Sequence, residues 1–174
     1  MKVVYSDLKN KRVFISGGGS GIGATIVEHF CEQKSEVYFI DIDLKSSKKL
    51  IKKIKKKGYR VPKFIECNIL DVKKLQNIIK DIISKKGAIH CLINSAANDD
   101  RHTTEQVDEK YWENRMGINL KHYFFAAQAV VKGMKKIKSG SIVNLSSVSW
   151  MLGEGDKVVY ETAKSAVVGL TRSF

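Results

Sequence analysis

Tyr160-Glu161-Thr162-Ala163-Lys164 sets a phenol and an ammonium four residues apart, so on a helix both side chains share one face. An unperturbed phenol titrates near about 10, too high for a base at neutral pH. A neighbouring ammonium favours the phenolate and lowers that value, as a base for an alcohol proton requires. The same spacing also occurs in ordinary surface pairs. Ser147 lies thirteen residues before Tyr160, at the end of a β-branched run. From there its hydroxyl can hydrogen-bond a substrate oxygen as charge develops on it. Asn119 falls within a long helical segment. It can hold a water that links Lys164 to solvent, or be a buried asparagine satisfied by backbone groups.

A second constellation binds rather than reacts. Ser16-Gly17-Gly18-Gly19-Ser20-Gly21-Ile22-Gly23 follows a short apolar run and opens a helical segment. Glycines let the backbone turn tightly and approach a pyrophosphate, and the helix N-terminus offers that anion free N–H groups. The spacing is G-x-x-x-G-x-G, not the G-x-G-x-x-G of the larger dinucleotide-binding families. A flexible glycine-rich loop is the alternative. The run 36–40 ends at Asp41, about twenty residues beyond the glycines. A carboxylate there accepts both hydroxyls of an adenosine ribose and repels a 2′-phosphate. Asp43 adds negative charge nearby and no arginine follows the run, so the expected cofactor is NAD. The alternative is a solvated aspartate at a strand end.

These groups need a frame. Short β-branched runs alternate with longer segments of 3.6-residue period, the pattern of βαβ units around a parallel sheet. The pattern predicts strands over 12–16, 36–40, 63–67, 90–94 and 141–145. It predicts helices over 22–34, 45–57 and 72–85, one long helix from about 108 to 136, and a last one from near 158 to 174. The expected fold is a single Rossmann-like, doubly wound α/β domain with five strands.

The chain has 174 residues, 43% of them hydrophobic and 28% charged, ordinary proportions for a globular domain. It has no apolar run long enough to span a bilayer and no signal-peptide pattern at its start. Cys31, Cys67 and Cys91 show no CxxC spacing and read as reduced thiols of a cytoplasmic protein. No histidine pair has metal-ligand spacing, so His29, His90 and His122 are assigned structural roles and no metal is expected. The net charge of +13 comes almost wholly from lysines on the polar sides of the helices. Arginine and aromatic residues are not interleaved with them, which favours a solvated surface over a nucleic-acid partner.

Taken together, the glycine turn, Asp41, Asn94, Asn119, Ser147, Tyr160 and Lys164 resemble the short-chain dehydrogenase/reductases of the classical subgroup, from about residue 8 onward. The resemblance implies that Tyr160 is the catalytic base, Ser147 orients substrate and Lys164 also grips the nicotinamide ribose. It also implies that Asn119 completes a proton relay. It carries cofactor contact onto Gly17, Gly19, Ser20, Gly21, Ile22, Gly23, Asp41, Asn68, Ile69, Asn94 and Ala96. This sequence departs from the family pattern in three places. Ser16 replaces a usual threonine, Asn68 a common aspartate, and Asn94-Ser95-Ala96-Ala97 stands where N-N-A-G is usual.

Asn98-Asp99-Asp100-Arg101-His102, Ser147-Val148-Ser149-Trp150 and Asn119-Leu120-Lys121-His122 look like segments of bacterial aldose 1-dehydrogenases, those oxidising D-xylose above all. That likeness implies oxidation of an anomeric hydroxyl to a lactone. Asn98, Asp99, Arg101 and His102 are then candidates to meet sugar hydroxyls, and Trp150 to pack on the ring. The alternative for Asp99, Asp100 and Arg101 is a salt-bridged loop that only shapes the site. Another secondary alcohol or ketone is the alternative substrate. The chain closes on Leu170-Thr171-Arg172-Ser173-Phe174 in mid-helix, where the family continues through further strands. The alternative to an active enzyme is a truncated, inactive fragment that retains at most dinucleotide binding. The resemblance implies homo-oligomers for intact relatives.

Overall fold

The computed structural model of the chain describes residues 3–174. Five strands, β1 (Arg12–Ser16), β2 (Glu36–Asp41), β3 (Lys63–Glu66), β4 (Cys91–Asn94) and β5 (Ser141–Asn144), form one sheet. Its order is β3-β2-β1-β4-β5 and every pairing is parallel. The strands match the expected ones to within a residue at each end.

Side chains alternate across each strand, and the two faces are packed separately. Val13, Ile15, Val37, Phe39 and Ile93 meet α1 (Gly21–Glu32) and α2 (Leu44–Lys56) on one side. Phe14, Tyr38, Ile40 and Leu92 meet α3 (Val72–Lys86) and α5 (His122–Lys136) on the other. Aspartates start the helices as the sequence dictates. Asp43 accepts from the Ser46 N–H at 2.9 Å, and Asp71 from the Lys74 N–H at 2.9 Å. The lysines of α2 lie mostly exposed, but Lys53 and Lys57 both grip Glu28 of α1, at 2.6 and 2.5 Å.

The expected single helix from 108 to 136 is instead three pieces. α4 (Glu109–Met116), which Asp108 caps, and α5 are joined by a π-helical turn, Gly117–Lys121. Two contacts hold the wider turn. A Cβ on Gly117 would lie 2.6 Å from Leu70 Cδ2, so the backbone hugs that side chain. Asn119 is drawn onto a neighbouring loop, as described below. The sequence pattern also missed the one-turn helix α6 (Ser149–Leu152). The last helix, α7 (Val158–Ser173), packs its buried face of Val159, Ala163 and Val167 against α4, the π turn and α6. No helix among the described residues is long and apolar enough to cross a membrane.

Sequence order reverses direction between β1 and β4, which leaves a crevice at their carboxyl ends. The loops after β1, β2, β4 and β5 all open into it.

Candidate active site

A cleft of about 680 Å³ occupies that crevice, within the usual size range for small-molecule sites. Asp41 and Asn68 line one end and Tyr160 and Lys164 the other. Gly17, Ser20, Gly21, Ile22, Gly23, Ile69, Ala96 and Asn98 lie between them. Twelve of the expected site residues therefore share one cavity.

The turn requires its glycines for steric reasons. A Cβ on Gly23 would fall 1.9 Å from the Gly17 carbonyl oxygen. One on Gly19 would stand 2.6 Å from Ser47 Oγ and 2.9 Å from the Asp41 carboxylate. Gly19 does not line the cleft; its N–H donates to Asp41 Oδ2 at 2.8 Å. Asp41 Oδ1 accepts from the Asp43 N–H at 2.9 Å. The carboxylate is thus fixed by the turn it faces and is no freely solvated strand end. Asn68 closes its own turn, accepting the Leu70 N–H at 3.0 Å.

α7 brings Tyr160 and Lys164 to one wall. Lys164 is only 1% exposed. Its ammonium donates to the Leu145 carbonyl at 2.7 Å and to Tyr123 Oη at 2.9 Å. It lies 5.5 Å from the centroid of the Tyr160 ring. Desolvation pulls the Lys164 pKa down to about 8, against the charge of Asp99, which favours the ammonium. The Tyr160 hydroxyl faces the cleft with no hydrogen-bond partner among the described residues.

Other expected residues sit elsewhere. Asn119 is fully buried and clamps the backbone of Asn98 with both ends of its amide, Oδ1 accepting the N–H at 2.9 Å and Nδ2 donating to the carbonyl at 2.9 Å. Its side-chain amide is therefore satisfied by the backbone of Asn98. Asn94 also lies below the cleft, its Nδ2 donating to Asn144 Oδ1 at 2.8 Å and to the Tyr123 carbonyl at 3.4 Å. Ser147 follows β5 by three residues and shares a hydrogen bond with Ser149 Oγ at 2.9 Å, at the start of α6. Its neighbour Ser146 lines the cleft and donates to the Lys164 carbonyl at 2.7 Å.

The loop after β4 is a salt-bridged clasp. Asp100 pairs with Arg115 of α4 at 2.7 Å, and Arg101 with Asp156 before α7. His102, expected to meet sugar, is instead 7% exposed and bonded to Tyr111 Oη at 2.8 Å. A loop rich in polar side chains reads as a substrate surface until its partners are known. Trp150 lies half-buried on α6 and does not line the cleft.

Two participants were not foreseen. Tyr123 holds Lys164, as above. Ser16 Oγ receives the N–H groups of Ser95 and Ala96 at 3.2 and 3.4 Å and meets His122 Nε2 at 3.3 Å. It ties the glycine turn to the loop after β4, and burial holds His122 neutral, its pKa lowered to about 3.

The sequence model of the short chain dehydrogenase family matches residues 11–174. The chain is 40% identical over 171 residues to a D-xylose 1-dehydrogenase of Caulobacter vibrioides, covering 98% of this chain and 66% of that protein. It is 38% identical over 169 residues to a protein named probable galactose dehydrogenase from Rhizobium meliloti, covering 97% of this chain and 66% of the relative. The chain thus spans about two thirds of the length of these relatives. Among solved structures, the ligand-free aldohexose dehydrogenase of Thermoplasma acidophilum superposes with a TM-score of 0.84 at 29% identity. The match covers 97% of this chain and 62% of that one.

Proposed function

The chain belongs to the short chain dehydrogenase family, whose members work with nicotinamide dinucleotides, and we propose that its site serves the oxidation of an aldose at the anomeric hydroxyl. One observation carries the reading. A glycine-lined cleft leads from the fixed carboxylate of Asp41 to a phenol backed by a buried ammonium. When bound, NAD would accept the hydride from the anomeric carbon, leaving a lactone.

The protein groups would divide the remaining work. The glycine turn and the first N–H groups of α1 receive the pyrophosphate. Asp41 receives the adenosine ribose, and its charge supports NAD over NADP. Tyr160 takes the proton of the reacting hydroxyl, with the Lys164 ammonium 5.5 Å from the centroid of its ring. Ser147 is the candidate donor to the substrate oxygen. Asn98 and Asp99 line the cleft on the side of Tyr160. Asp100 and Arg101 are engaged with other partners, so Asp99 is the charged residue of this loop free to receive sugar hydroxyls. A sugar needs such acceptors in place of its hydration. The names of the relatives support the substrate class. All three cysteines are free thiols, which supports a reducing compartment, the cytoplasm.

The test is reduction of NAD and of NADP by the 174-residue chain across D-xylose, D-galactose, D-glucose and simple secondary alcohols. Turnover with aldoses and NAD is the expected result. Turnover with secondary alcohols and no sugar, or with NADP in preference, would overturn the corresponding part.

A further inference from the structure

The Lys164 ammonium sits between two phenols. Tyr160 shares its helix and faces the cleft, while Tyr123 approaches from α5 and is completely buried. The ring centroids lie 5.5 and 5.1 Å from the nitrogen. Only Tyr123 bonds it, accepting at 2.9 Å while its own hydroxyl donates to the Leu145 carbonyl at 3.2 Å. The Leu145 carbonyl thus accepts from both Lys164 and Tyr123, and the three groups close a triangle. An ammonium has three hydrogens. The triangle uses two, and the third is left for the cleft that Lys164 and Tyr160 line together.

The geometry points to Tyr123 as the positioning residue of the proton-transfer site: its buried hydroxyl anchors the Lys164 ammonium beside Tyr160 and keeps it charged there. A buried charge is tolerated only when its hydrogen-bonding capacity is met. Without the hydroxyl, Lys164 would retain one acceptor, the Leu145 carbonyl. The chain would then shed the proton more readily or swing the amine toward the cleft. Either change weakens the positive charge beside Tyr160. The other ionisable groups around the ammonium do not replace the anchor. His122 on α5 is neutral, Tyr160 makes no hydrogen bond to it, and Asp99 acts on it as a charge from the loop after β4.

The catalytic meaning rests on the function proposed above, but the test reads Lys164 itself. Trace acetylation of the full chain over a range of pH, followed by mass spectrometry of the Lys164 peptide, gives the titration midpoint of that amine. In Tyr123→Phe the acidity constant of Lys164 should rise roughly tenfold, since one hydrogen bond to a charged group is lost. Tyr38→Phe, which removes another buried phenol, one that donates to Glu36 of β2, should leave it unmoved. Tyr123→Met serves should the phenylalanine variant not fold. A Lys164 midpoint equal to wild type in a folded Tyr123 variant would overturn the anchor and leave the sugar assignment untouched. Failure of every sugar as substrate would leave the anchor untouched.

Discussion

His102 Nε2 accepts the main-chain N–H of Val159 at 3.4 Å, joining the loop after β4 to the first turn of α7 one residue before Tyr160. The bond fixes the tautomer. With Nε2 accepting, the hydrogen sits on Nδ1 and donates to Tyr111 Oη, whose own hydroxyl donates to the Asp100 carbonyl at 3.3 Å. No side chain within α7 performs this capping, since Lys157 at the N-cap makes no such bond.

His102→Ala should therefore behave as the loss of a helix cap, not of a substrate contact. The expected cost is about 1 kcal/mol, or roughly 2–4 °C in the melting midpoint. Thermal unfolding checks it. A variant as stable as wild type would return His102 to the substrate surface.

Gly19→Ala should impair dinucleotide binding while leaving the fold intact. The new Cβ would press on Ser47 Oγ and on the Asp41 carboxylate. Overpacking of this kind typically costs about 1–3 kcal/mol, enough for a roughly tenfold or greater loss of affinity. Calorimetric titration with NAD measures it. Undiminished affinity would mean that Asp41 is not held for the ribose.

Tyr160→Phe removes the candidate base and nothing that the fold uses, because the hydroxyl has no hydrogen-bond partner among the described residues. Turnover should fall by about 10²–10⁴, the usual worth of general-base catalysis. NAD affinity should change little. A variant of near-normal rate would remove Tyr160 from the mechanism.

Lys164 gives the fold a pH dependence of definite sign. Its value in the folded chain is about 8, below the ordinary 10.5. The unfolded chain thus binds more protons between those limits, and stability rises as the pH climbs through about 8. Above the ordinary phenol value of 10 the trend turns, because burial raises Tyr123 and the folded chain keeps a proton that the unfolded chain gives up. Relative to Lys164→Met, wild type should gain roughly 2–3 kcal/mol from pH 7 to 10, about 5–10 °C in Tm. Parallel melting curves across that range would contradict the burial of a charged amine.

Local spacing made most of the site legible. The glycine turn joins a strand to a helix within eight residues, and Tyr160 and Lys164 are one helical turn apart, so periodicity alone brings each set together. What stayed hidden depends on partners far along the chain. Asn119 meets Asn98 across 21 positions and Lys164 meets Tyr123 across 41. His102 reaches Val159 across 57. Nothing in the type or spacing of these residues says which polar side chains a fold will consume internally. The break in the long helix was invisible for a related reason, since the partners that hold the π turn and the residue it adds, Leu70 and Asn98, lie far along the chain.

That added residue gives chain length a rotational meaning here. Each residue of an α-helix advances the next by about 100° around the axis. The wide turn at Gly117–Lys121 therefore works as a phase adjuster, letting Asn119 face the loop after β4 while Tyr123, one turn on, faces β5. Lengthening or shortening this stretch by a single residue would act less like trimming a loop than like slipping one tooth on a gear. Every side chain of α5 would index to a new bearing, and the two faces could no longer be met at once.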